Sequence, residues 1–212
     1  MTEEEKWSKI FQSWLAGQEE SDPAHDLPHI ERVVANATLL AEAEGADWAV
    51  LHPAAWLHDC VFVAKDSPLR TQASKLSADH AIAQLSAAGY PGGHLENIHH
   101  AITAHSFSAN IEPLTLEAKV LQDADRIDAV GAFGLSRCLM LGGHMGADLM
   151  SREDPFCETR EPDDSKFVID HFYRKLLKLE STMQTKAGRE LASARTKVLQ
   201  NFLDQLREEL PS

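Results

Sequence analysis

The chain carries eleven histidines and only three cysteines in 212 residues. Several of the histidines sit beside carboxylates, as in His25-Asp26, His58-Asp59 and Asp79-His80. The cysteines, Cys60, Cys138 and Cys157, are odd in number, far apart and form no C-x-x-C pair. A thiolate metal site and a disulfide framework are therefore excluded, and a reduced, cytoplasmic setting is expected. Imidazole and carboxylate together point to a nitrogen/oxygen site for a divalent cation.

Three places hold the chemistry. His58-Asp59 ends the apolar run Ala54-Ala55-Trp56-Leu57, where an ionised carboxylate is costly unless paired or bound to metal. Adjacent helical residues point about 100° apart, so the pair can share one ion only off a helix end. The bland alternative is a helix terminus with a solvated Asp. His29 opens an apolar-periodic segment and reads either as a capping or core histidine or as a ligand. Asp123, Asp125 and Asp128 lie within two turns of a helix that must also bury Val120, Ala124 and Ile127. They form a solvated acidic face or border a buried site.

The elements that must position these groups read as helices throughout, which predicts an all-α fold. Thr2 and Glu5 fit a capping box, followed by an apolar stripe of Trp7, Ile10, Phe11, Trp14 and Leu15. That stripe fits a homodimer contact or a core. A second face runs through Ile30, Val33, Val34, Ala37, Leu40 and Ala41, with Gly45 placed to end it. In the third segment, Trp48 to Val63, Pro53 predicts a kink or a new helix start. Ala78, Ala81, Ile82, Leu85 and Ala88 mark the next helix, ended by Gly89. Leu95, Ile98, Ile102 and His105 mark another. A helix starting near Thr115 presents Val120, Ala124, Ile127 and Gly131. Residues 151–165 lack periodicity and read as a long surface segment of the kind that forms lids. Two amphipathic helices close the chain, one through Val168, Phe172, Lys175, Leu176 and Leu179, the other through Leu191, Val198, Phe202, Leu206 and Leu210. The expected organisation is a single domain over 1–212, with a core over about 22–135 and a helical extension over about 151–210.

The net charge of −13 opposes phosphate backbones and anionic lipid, so neither nucleic acid nor membrane is an expected partner. The N-terminus is acidic and lacks the pattern of a signal peptide, and no apolar run reaches the length of a membrane helix.

Four ordered blocks carry a family resemblance: His25-Asp26-Leu27-Pro28-His29-Ile30-Glu31-Arg32-Val33, Ala54 to Asp59, His105 to Ala109, and Glu117 to Ala132. Their order and content resemble the HD-domain metal-dependent phosphohydrolases, and within them the YedJ/YpgQ-type subgroup. Glu153 to Phe156 and Thr182 to Thr185 add to that likeness, which spans roughly residues 5 to 205. The resemblance implies a helical domain around one divalent cation (Mn, Fe, Co, Ni or Mg) held by His29, His58, Asp59 and Asp125. Asp125 is chosen over Asp123 and Asp128 because the family's last ligand precedes a basic residue, here Arg126.

Two neutral imidazoles and two carboxylates balance an M²⁺ ion, and octahedral coordination leaves positions for water and a phosphate oxygen. Groups expected to hold the phosphate are Lys65, Arg126, His105 and His100, whereas His99 is expected at the surface. Asp66 and Asp128 are the candidates for acid/base catalysis. His25, His52, His80, His94, His144 and His171 are expected at the surface or in packing. The implied activity is hydrolysis of a small phosphate ester or anhydride, above all a nucleotide. The alternatives are a nucleotide-binding signalling module without turnover and a cyclic-nucleotide phosphodiesterase; the large helical insert expected of the latter is missing.

Overall fold

The computed structural model describes residues 2–16, 27–64, 67–106 and 108–211. Among these residues the α-helices are α1 (Glu3–Leu15), α2 (Leu27–Glu44), α3 (Trp48–Leu57), α4 (Ala73–Ala87), α5 (Leu95–His105), α6 (Leu116–Asp128), α7 (Gly131–His144), α8 (Asp170–Arg174) and α9 (Lys186–Glu209). Short 3-10 turns lie at Arg70–Gln72 and Gly92–His94, and a longer one at Leu176–Thr182. The fold is all-α; the one β contact among the described residues is an isolated bridge between Asp148 and Phe167. No described helix is long and apolar enough to cross a membrane. The chain divides into two compact units, Met1–Asp125 and Arg126–Ser212, with the boundary inside α6.

In the first unit, α1 starts with the expected capping box. The Glu5 N–H donates to Thr2 Oγ1 at 3.1 Å, and the Thr2 N–H donates to Glu5 Oε2 at 2.9 Å. α1 packs on α3 and buries Phe11 and Leu15. Gly45, at φ +77°, closes α2 and donates its N–H to the Ala41 carbonyl, as a left-handed cap requires.

Of the two outcomes expected at Pro53, a new helix start is not seen: α3 runs through it. Proline has no N–H for the Ala49 carbonyl one turn back. The Tyr90 hydroxyl supplies the missing donor, at 2.6 Å from that oxygen. Burial pushes the Tyr90 pKa up to about 12, so the proton is retained at neutral pH. Eight consecutive residues of α3, Val50 to Leu57, are buried. A helix apolar on all sides is a central helix, and its C-terminal end therefore opens inside the unit.

In the second unit, α6 stops at Asp128 instead of carrying its face on to Gly131. Gly131 takes φ +75° and begins α7. A Cβ on Gly134 would meet the Ala129 carbonyl at 2.2 Å, so this tight corner needs glycine. The first of the two expected closing helices is broken at Lys175 into α8 and the 3-10 turn. With three residues per turn, Leu176 and Leu179 stack on one face, and both are buried. In α9 the buried line is Gly188, Ala192, Thr196, Leu199 and Leu203, not the larger apolar residues expected; Val198 is exposed. α9 packs on α7.

The segment 151–165 is folded around Asp154. Its carboxylate accepts the backbone N–H groups of Glu158, Thr159 and Arg160, which hold its pKa down to about 2. Arg160 pairs with the fully buried Asp170.

Candidate metal centre

Three helix ends and one helix face bring the polar groups of the first unit together. His29 lies in the first turn of α2, His58 follows the last residue of α3, His105 ends α5, and Asp125 lies in the last turn of α6. The three imidazoles are buried, at 2%, 0% and 4% exposure. Asp59 and Asp125 keep side-chain exposures of 20% and 27%, which leaves the cluster an opening on its carboxylate side.

A helix end inside a protein must satisfy its last carbonyls by other means. The end of α5 does so with three side chains. The Ile102 carbonyl takes the Nδ1–H of His105 at 2.6 Å, the Thr103 carbonyl takes the Ser74 hydroxyl at 3.0 Å, and the Ala104 carbonyl takes the Gln122 amide at 2.8 Å. At the end of α3 the Ala55 carbonyl takes the Nδ1–H of His58 at 2.8 Å. A carbonyl can only accept, so in both rings Nδ1 carries a proton. α3 and α5 pack together, and their terminal rings lie 4.9 Å apart, edge to face.

Both rings turn Nε2 to the Asp59 carboxylate. His58 Nε2 lies 3.7 Å from Oδ2, and His105 Nε2 lies 3.5 Å from Oδ1. His29 Nε2 lies 3.5 Å from Asp125 Oδ1. One ligand atom each from His29, His58 and Asp125 lie within 4.8 Å of one another, as do those of His58, Asp59 and His105. His58 is common to both groups.

The electrostatics of the two rings differ. Burial lowers the His58 pKa to about 4, so the ring is neutral at pH 7 and Nε2 bears a lone pair. For His105 burial is again the largest influence and pulls downward. The hydrogen bond and charge of Asp59, with the charge of Asp125, outweigh it, and the pKa is raised. His58 Nε2 is buried with no hydrogen-bond partner among the described residues. A lone pair facing carboxylate oxygens is unfavourable until a cation stands between them. The donor set, neutral nitrogen and anionic oxygen, suits a hard or borderline divalent ion.

Of the ten residues singled out from the sequence, His29, His58, Asp59, Asp125 and His105 lie in this cluster. His100 accepts the Leu114 N–H on Nε2 at 2.9 Å, and His99 pairs with Asp79 at 2.9 Å. Arg126 donates to the Thr182 carbonyl at 2.8 Å within the second unit. Asp128, also in that unit, is 1% exposed and pairs with Arg137. Lys65 and Asp66 lie outside the described residues, as does the His25-Asp26 pair. His52 is a packing residue, its Nε2 meeting the Ser8 hydroxyl and accepting the Trp56 N–H. The sequence reading missed Gln122, Asn36 and Ser74, which tie the site helices by side-chain hydrogen bonds to backbone. A polar residue one turn before Asp125, in a helix with a buried face, was the available signal for Gln122.

Residues 27–130 match the HD domain family. The YpgQ protein of Bacillus subtilis (strain 168) is 31% identical over 211 residues, which span 97% of this chain and 95% of that one. The crystal structure of B. subtilis YpgQ in complex with ADP superposes with a TM-score of 0.75 at 32% identity, covering 99% of this chain and 95% of the other. An HD-superfamily hydrolase from Bacillus thuringiensis superposes with a TM-score of 0.76 at 28% identity, covering 98% of both chains. The buried imidazoles, the carboxylates facing them and the full-length relationship to YpgQ make this chain a member of the HD-domain superfamily.

Proposed function

We propose that the protein is a metal-dependent phosphohydrolase of the cytoplasm, acting on a small phosphate ester or anhydride, above all a nucleotide. The observation that carries this reading is the convergence of His29, His58 and Asp125, whose ligand atoms lie within 4.8 Å of one another. Asp59 completes the proposed ligand set from its place beside His58. Two further observations support it: YpgQ has been crystallised with ADP, and the B. thuringiensis relative is an HD-superfamily hydrolase.

A divalent ion bound there supplies Lewis-acid polarisation of a phosphoryl oxygen and a lowered pKa for water. The protein's own groups do the rest. His29 and His58 are held by burial in fixed orientations, and His58 stays neutral at working pH. Asp59 and Asp125 supply the two negative charges that offset the cation. Phosphoryl transfer depends on positioning and charge neutralisation, and the net charge of −13 demands a local source of positive charge. His105, beside Asp59, and Lys65, in the stretch after it, take that role on the phosphate. Asp66 is the proposed proton acceptor. Arg126 and Asp128 are left out of the proposed machinery because each is engaged within the second unit.

The test is a screen of nucleoside mono-, di- and triphosphates with Mn²⁺, Co²⁺, Ni²⁺ and Mg²⁺, reading phosphate and pyrophosphate separately. Metal-dependent release from at least one nucleotide is expected. A second reading, a nucleotide-binding module without turnover, draws on the same ADP complex, since that describes binding and not hydrolysis. Nucleotide binding without release of either product under any metal favours that second reading.

A further inference from the structure

We infer that Gln122 is a positioning residue for the metal centre, setting how the end of α5 lies against the helix that bears Asp125; this rests on the metal-site reading above. The three donors at the end of α5 come from different places. One is the ring of His105 itself, one is Ser74 on α4, and one is Gln122 on α6. α4 carries none of the proposed site residues. α6 carries Asp125, three positions after Gln122 and on the same side of the helix. The acceptor of the Gln122 amide, the Ala104 carbonyl, belongs to the residue just before His105. One 2.8 Å hydrogen bond thus joins a point one turn from Asp125 to a point one residue from His105.

A second amide makes a parallel tie. Asn36, two turns after His29 on α2, donates from Nδ2 to the Ala124 carbonyl at 3.2 Å, beside Asp125. Both amides are buried, Asn36 at 4% and Gln122 at 3% exposure.

The far side of the Gln122 amide separates a positioning role from plain packing. Its Oε1 is buried with no hydrogen-bond partner among the described residues. A buried carbonyl oxygen left in that state opposes stability. A methionine would fill much the same space without it. The Gln122 N–H supplies a direct tie from α6 to the end of α5.

The experiment compares the full-length wild type, Gln122→Met and Ser74→Ala. Each variant removes one donor from neighbouring carbonyls of the same helix end, so both lower the thermal midpoint. Titration with Mn²⁺ is expected to show an affinity about 10–100-fold weaker in Gln122→Met, the usual range for a supporting residue behind the ligands. Ser74→Ala is expected to bind Mn²⁺ as the wild type does. In the metal-free protein, the imidazole ¹⁵N–¹H signals of His105 are expected to shift in Gln122→Met and not in Ser74→Ala. Gln122→Glu, of the same shape but with the donor replaced by an acceptor, gives a second variant in which the same signals must move.

Equal Mn²⁺ affinity in Gln122→Met and wild type overturns the inference and leaves the metal site standing. Equal loss in Gln122→Met and Ser74→Ala also overturns it, because the effect is then one of general stability. A wild type that binds none of Mn²⁺, Co²⁺, Ni²⁺ and Mg²⁺ overturns the metal-site reading. The His105 signals then decide the positioning role alone, and signals unchanged by both Gln122 substitutions end it.

Discussion

The two units place acidic side chains in different company, fully buried in the second and partly exposed at the candidate site of the first. In the second unit the fully buried carboxylate of Asp170 meets the Arg160 guanidinium, and that of Asp128 meets Arg137. In the first, Asp59 faces the rings of His58 and His105, and Asp125 faces His29, at 3.5–3.7 Å. A guanidinium never loses its charge, so it closes a buried carboxylate permanently. An imidazole kept neutral by burial, as His58 is, answers a carboxylate with a second acceptor. The first arrangement is complete in itself, and the second asks for a cation. The buried Asp128 and Asp170 are paired with arginines, whereas Asp59 and Asp125 at the candidate site face imidazoles.

The comparison breaks most visibly at His58. His58→Ala should abolish tightly bound metal and reduce phosphate release by more than the ~100-fold typical of supporting residues, while both arginine pairs persist. Equal metal in wild type and variant by elemental analysis sinks the first half of the contrast.

On the other side, Arg137→Ala strips the guanidinium from a buried carboxylate. It should cost about 3 kcal/mol in urea unfolding, the lower end of the range for breaking such a pair, with metal content unchanged. Asp128→Asn sharpens this further. Stability lost with turnover kept makes Asp128 structural, whereas turnover lost with stability and metal kept makes it a catalytic acid/base.

The smallest effect concerns acid. Burial lowers both His52 and His58 to about 4, below the ordinary 6.5 of an unfolded chain. Above pH 6.5 neither state takes up these protons and stability is insensitive to pH. Below it the unfolded chain gains them first, so stability falls until the folded protein also protonates near pH 4. For His52 the full span is about 3 kcal/mol, and about 1 kcal/mol is lost by pH 5.5. His52→Gln, which keeps an acceptor for Trp56, should flatten that slope by one histidine's share. An unaltered slope would falsify the assignment of His52 as a buried neutral ring.

Much of this was legible in the residues. Helical periodicity, the Thr2/Glu5 box and Gly45 follow from local rules, and the helices they predict are present. The ligand set was legible through the four ordered blocks that resemble the HD-domain phosphohydrolases; the His-Asp pair alone also fits a helix terminus with a solvated Asp. What escaped was non-local. Nothing near Pro53 announces that Tyr90 will supply the missing donor. Three members of the buried line of α9, Gly188, Ala192 and Thr196, are small or polar residues that hydrophobic periodicity passes over. Gln122 and Asn36 look like ordinary polar residues until the carbonyls they reach are known. Asp128 differs from Asp125 by less than one helical turn, and its pairing with Arg137 could not be read from the residues.

The His58 ring is anchored by its own helix. Because the Ala55 carbonyl holds the Nδ1 proton, the tautomer is chosen when α3 folds and not when an ion arrives. A cation entering the proposed site would meet a nitrogen that has no proton to shed and no half-turn to make. Loading of the site should accordingly keep pace with the rate at which the hydrated ion releases its waters, and slow with Ni²⁺ relative to Mn²⁺ for that reason alone.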